Sequence, residues 1–143
     1  MSKLSEHLDS FETECPCGCG LWRVEPALVE TFEAIRTLVN VKRIGKGIKT
    51  QGLNIGKGGG VRCADFQEFI ETSHNYVSRY HTHCPTQRGN VGCALDIHQP
   101  EGLTFAEFRG IVDMLCSSGH GVGYYPKKGF IHIDMGPERT WER

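Results

Sequence analysis

The sequence predicts a small α+β protein, on three observations. Apolar residues recur at helical spacing in three separate segments. The stretch from Gly121 to Gly136 divides into two short strands about a turn at Pro126 to Gly129. A further short strand, Cys93 to Ile97, precedes the third helical segment. With 143 residues, 38% of them apolar, the chain has the size of one domain with one core. Residues 1–143 are therefore expected to form a single domain, with 1–20 as a Cys/Gly-rich N-terminal segment.

The first helix is predicted over residues 26–40: Pro26 suits a first helical position, and Leu28, Phe32, Ile35 and Val39 fall near one face. Asp65 with Glu68 resembles a capping box, and Phe66, Phe69, Ile70 and Val77 can share a face, which predicts a second helix to about residue 77. Thr104 with Glu107 forms another such box ahead of Phe105, Phe108, Ile111, Val112 and Leu115, and Gly119 closes the third helix. Between the first two helices, Gly45 to Gly60 holds seven glycines and is expected to be a flexible loop or an irregular hairpin. Residues 78–90, rich in His, Pro and Gly, are expected to form a surface loop leading into the Cys93 strand.

Composition excludes several function classes. A net charge of −1 gives no broad electrostatic attraction to nucleic acid or anionic membrane. No stretch approaches the roughly 18 apolar residues of a membrane span, and MSKLSEHLDS lacks the apolar centre of a secretory leader, so cytoplasmic synthesis is expected. The glycine-rich loop lacks the Gly-Lys-Ser/Thr of a phosphate cradle. Seven cysteines cannot all pair within one chain; Cys15, Cys17 and Cys19 form a C-x-C-x-C run without a partner cluster, which predicts a reduced turn rather than a structural metal site.

Alternation carries the chemistry. In the last strand Ile131, Ile133 and Met135 point one way and His132 and Asp134 the other. In ALDIH, Leu95 and Ile97 face the core while Asp96 and His98 lie opposite. Two strands thus each offer a His and an Asp, ligand types that zinc accepts, and a catalytic zinc needs three protein ligands and one open position. A third ligand would come from the histidines of the preceding segment, His74, His81 and His83.

GCALDI at 92–97 and GVGYYPKKGFIHIDMGPERTW at 121–141 resemble the GxAxDI and GxGxYP...FxHxDxGxxRxW signatures of the zinc D,D-peptidase family, peptidase family M fifteen, subfamily A. Residues 11–36, a Cys/Gly-rich turn followed by LVExFExIR, are similar to its N-terminal part, and GVRC at 60–63 looks like its SGYR element without the Ser and Tyr. The resemblance implies a mainly antiparallel sheet with about three helices packed around it, of the hedgehog and D,D-peptidase type. It implies Zn2+ held by Asp96, His132 and His81, with His83 as substitute for His81, and Arg62 near a substrate carboxylate. It also gives Asp134 a catalytic role, orienting His132 or accepting a proton.

Two departures stand out. Seven residues before Asp96, where the family places its first histidine, this chain has Gly89, so an insertion after His81 is implied. Three before His132, where many relatives have an acid, it has Gly129. The implied function is a zinc metallopeptidase hydrolysing murein peptides, a D-Ala-D-Ala carboxypeptidase or L-Ala-D-Glu endopeptidase. It would act on the cell wall after release, and it fits a phage-encoded origin. The alternative is a catalytically degenerate binding or structural module, such as a virion component with virion proteins as partners.

Overall fold

A computed structural model describes residues 3–75, 82–84 and 92–143. Among these residues a short antiparallel pair, β1 (Lys3–Ser5) and β2 (Leu8–Asp9), leads into a single helical turn, α1 (Ser10–Thr13). Then follow α2 (Pro26–Gly45), α3 (Ala64–His74), β3 (Ala94–His98), α4 (Phe105–Leu115), β4 (Gly121–Tyr125), β5 (Phe130–Asp134) and β6 (Arg139–Glu142). The fold is α+β, as the sequence predicts.

Helix α2 starts at Pro26 and runs five residues past the expected end, because its C-terminal turn has its own buried anchor. Arg43 is buried, donates from Nε to Glu101 O (2.9 Å) and from Nη1 to Asn40 Oδ1 (3.0 Å) and Gln51 O (3.2 Å). Paired with three carbonyl oxygens, the guanidinium ties the helix end to two following loops. Helix α4 has the expected cap, with Thr104 accepting from Glu107 N and Glu107 accepting from Thr104 N.

Helix α3 departs from its expected start. Its N-cap is Cys63, whose sulfur accepts from Phe66 N, so the Asp65/Glu68 box is not the cap. Nor does its apolar stripe pack inward: Phe69 is exposed and Gln67 is buried. The reason lies in the site below, where Gln67 meets Arg62.

The four-stranded sheet has order β3-β5-β4-β6, antiparallel except for the parallel β4/β6 pair. Strand β6 is short and mostly polar and is not among the elements expected from the sequence. One sheet face presents Leu95, Ile97, Val122, Tyr124, Ile131 and Ile133, all buried in one core with Leu28, Phe32, Ile35 and Val39 of α2 and Phe108, Ile111 and Val112 of α4. Burial of such side chains, about 1.5–3 kcal/mol each, is what holds helices to sheet. The opposite face is left for polar groups.

The glycine-rich segment is ordered by the sheet, which corrects the expectation of a flexible loop. It runs along the free edge of β3: Gly56 N donates to Asp96 O, Asp96 N to Gly59 O (2.7 Å), and His98 N to Asn54 O (2.9 Å), with an antiparallel bridge between Ile55 and Ile97. Leu53 and Val61 are buried at its two ends. The segment thereby covers a sheet edge that would otherwise have unpaired backbone groups.

Candidate metal centre

Register sets the polar face. Asp96 of β3 pairs with His132 of β5, which pairs with Gly123 of β4, which pairs with Trp141 of β6. The adjacent row is Ala94, Asp134, Gly121 and Arg139. The glycines of GVGYY are the positions where large side chains cross the sheet. A Cβ on Gly123 would collide with the Trp141 ring, and one on Gly121 would collide with the Asp134 carboxylate and the Arg139 guanidinium. Trp141 therefore reaches His132, ring centroids 5.2 Å apart, and Arg139 reaches Asp134 with two bonds of 3.0 Å.

His83 joins this face from the segment before β3. Its Nε2 lies 3.2 Å from His132 Nδ1 and 3.2 Å from Asp96 Oδ1, and His132 Nδ1 lies 2.9 Å from the same oxygen. The other ring nitrogens decide the tautomers. His83 Nδ1 is 2.7 Å from Gly60 O, which can only accept, so that nitrogen carries the proton and Nε2 is the lone pair. His132 Nε2 is 2.7 Å from Asp134 Oδ2, a carboxylate oxygen, so the neutral ring turns its Nδ1 lone pair inward. Two imidazole lone pairs and a carboxylate oxygen thus converge with no donor among them, an arrangement that repels itself unless a cation or a proton sits between them.

The triangle suits a metal. Ligand bonds of about 2.0–2.1 Å in tetrahedral geometry place ligand atoms roughly 3.3 Å apart, and the three separations here are 2.9–3.2 Å. The surroundings orient the ligands, as outer partners of metal sites do. Asp134 is fully buried, accepting from His132, from Gly136 N (2.8 Å) and from Arg139. Arg62 N donates to His83 O (2.8 Å), and its guanidinium donates to Gly58 O (2.7 Å) and faces Gln67 Oε1 and Asp96 Oδ2, each at 3.4 Å.

Electrostatics follow from burial and charge. Burial opposes the charged form of Asp96, yet the imidazoles of His83 and His132 beside it hold its carboxyl well below the usual range. Burial lowers the His83 pKa below the ordinary imidazole value. Burial also opposes a charge on His132, but the bonds to Asp134 and Asp96 outweigh it and raise its pKa.

Of the residues expected from sequence, the structure brings together Asp96, His132, Asp134, Arg62 and His83. His81 lies outside the described residues. Arg62 faces a carboxylate of the protein itself, Asp96. Asp134 is on the far side of the His132 ring from the triangle. Gly129 sits at φ +74° in the β4–β5 turn, a left-handed conformation that an acidic residue would adopt only with strain. Sequence reasoning gave no role to Arg139 and took Trp141 for packing; their signal was the R-x-W alternation, which puts both on the face of His132 once β6 is recognised as a strand.

The sequence pattern described as peptidoglycan L,D-endopeptidase MepK matches residues 66–141. The chain belongs to that family. It is 29% identical over 138 residues to peptidoglycan L,D-endopeptidase MepK of Escherichia coli strain K12, covering 93% of this chain and 74% of the relative, and matches the Shigella flexneri protein of the same name equally. A 22-residue stretch is 68% identical to the probable peptidoglycan L,D-endopeptidase MepK of Haemophilus influenzae, covering 15% of this chain and 12% of that protein. No solved structure matches the chain. The MepK family agrees with the peptidase family M fifteen resemblance of the motifs.

Proposed function

We propose that the chain is a zinc-dependent peptidoglycan endopeptidase cutting an L,D peptide bond, with His83, Asp96 and His132 as the metal ligands. The observation that carries this reading is the convergence of two imidazole lone pairs and one carboxylate oxygen on a single point, in a chain of the MepK family. Of the two bond types expected from the motifs, the names of the relatives favour the L,D bond over the D,D bond. A zinc ion at such a site supplies Lewis acidity toward a scissile carbonyl and a bound water of lowered pKa.

The protein's own groups do the positioning. Asp134 fixes the His132 ring with Nδ1 toward Asp96 and His83, where a metal would be held, and His132 and Arg139, the latter through two bonds, favour the ionised form of Asp134. Arg62 occupies Asp96 Oδ2 and leaves Oδ1 for the metal. Gly60 O fixes the His83 tautomer. The absence of an acid at Gly129 favours a second reading, a module of the same fold that binds metal without turnover. The phage and virion reading rests on the sequence expectation alone, and the relatives are proteins of bacteria.

Cleavage of L,D-linked murein peptides, followed by mass spectrometry, tests the proposal. Activity should vanish with chelator and return with zinc. His83→Ala should lose more than the about 10- to 100-fold typical of an outer-shell loss, and His81→Ala should lose no more than that. Zinc binding with no cleavage of any murein peptide would favour the non-catalytic reading; full activity in His83→Ala would refute the ligand set.

A further inference from the structure

Four of the seven cysteines meet at a place the catalytic reading does not use. Cys15, Cys17 and Cys19 come from the turn after α1, and Cys63 comes from the N-cap of α3, far along the chain. Their sulfurs all lie within 4.8 Å of one another, with Cys15–Cys17 at 3.5 Å and Cys17–Cys63 at 3.4 Å. The partner that the C-x-C-x-C run lacked in sequence is supplied by the fold.

Apolar packing does not explain this gathering, because Cys17 and Cys19 are exposed and Cys63 is half-buried. The backbone is shaped around the sulfurs instead. Gly18 N donates to Cys15 O (3.2 Å), Cys15 N donates to Leu21 O (2.8 Å), and Gly18 and Gly20 both take left-handed φ, which curls the run into a knuckle. Backbone amides point at the sulfurs: Cys63 N at Cys15 Sγ and Phe66 N at Cys63 Sγ, both at 3.4 Å. Such donors stabilise thiolates.

We infer that Cys15, Cys17, Cys19 and Cys63 form a structural zinc site of the four-cysteine type, separate from the His83, Asp96 and His132 group. Zn–S bonds of about 2.3 Å in a tetrahedron set the sulfurs roughly 3.8 Å apart, which agrees with the separations found. Four thiolates leave no open position, so the site is closed to substrate and its role is to join chain segments. It clamps the N-terminal knuckle to Cys63, next to Arg62, whose guanidinium faces Asp96 and whose N–H holds His83 O. The same junction is tied by Val61 N donating to Thr13 O (2.8 Å). The segment that orients the catalytic ligands is thereby anchored from behind.

Metal analysis of the purified chain, prepared under reducing conditions with zinc, tests this. The wild type should hold two zinc ions per chain, His132→Ala one, and the double variant Cys17→Ser/Cys63→Ser one. Cobalt(II) substitution identifies which site remains: near-ultraviolet thiolate-to-cobalt charge-transfer bands should persist in His132→Ala and vanish in the cysteine variant. Should the cysteine variant not fold, alkylation of native wild type decides: these four thiols should be protected with zinc and labelled after chelation. A wild type without charge-transfer bands, four thiols labelled equally with and without chelator, or a Cys17–Cys63 disulfide in the reduced preparation would each overturn the site. Loss of zinc from the histidine group alone would count against the proposed function and leave this inference standing.

Discussion

At the scale of single residues, His132 has a carboxylate on each side: Asp134 at Nε2 and Asp96 at Nδ1. These raise its pKa above the ordinary imidazole value, while burial lowers that of His83. A metal entering the triangle competes with a proton for the His132 Nδ1 lone pair. Apparent zinc affinity should therefore be greatest above the His132 pKa and fall about tenfold per pH unit below it, since a proton competes for the same lone pair. His83, neutral to lower pH, should add a second proton only further down. Competition titrations between about pH 5 and 8 measure this, and a flat profile would remove His132 from the ligand set.

At the scale of elements, the two glycines of β4 are where β6 crosses toward the site. Gly123→Ala drives a methyl into the Trp141 ring, so the ring must leave its place beside His132 or the strands must separate. A loss of about 1–3 kcal/mol is expected, as for other overpacked positions. Gly110→Ala, exposed within α4 with open space around its Cβ, should instead stabilise by about 0.5–1 kcal/mol. Thermal melts of the two variants side by side give opposite signs if the sheet register is as described. Equal shifts would contradict it. Element boundaries were legible where side chains alone set them: Pro26 opens α2, the Thr104/Glu107 box opens α4, and alternation marks β4 and β5. The cap of α3 was not, because Asp65 and Glu68 have the pattern of a box while the sulfur of Cys63 takes the amide.

For the whole molecule, the apolar core and the His/Asp group occupy opposite faces of one sheet. The core packs α2 and α4 against β3, β4 and β5 without any of the three ligands. His132→Ala should therefore abolish metal binding at that group yet keep the far-ultraviolet circular dichroism of the wild type. In the wild type, zinc at about 100 times its dissociation constant should add about 2.7 kcal/mol to stability, and the variant should lack that increment at the same site. A molten spectrum for the variant would make the metal part of the folding nucleus. Among the described residues no helix is long and apolar enough to cross a membrane.

What the sequence by itself determined is local and periodic. Helical spacing set α2 and α4, and alternation put Asp96, His132 and Asp134 on the face away from the core, because one residue's side decides the side of every residue in its strand. The motifs carried the family and named the site's carboxylate and last histidine as candidates. The tertiary structure decided what depends on distant segments meeting. It set His83 against Asp96 and His132, turned Arg62 onto Asp96, laid residues 54–59 along β3, and aligned β6 so that Arg139 and Trp141 reach the site. It also brought Cys63 to Cys15, Cys17 and Cys19. Backbone pairing has no side-chain signature, and ligands separated by long stretches of chain share no period, so only folding can place them within ångströms of one another.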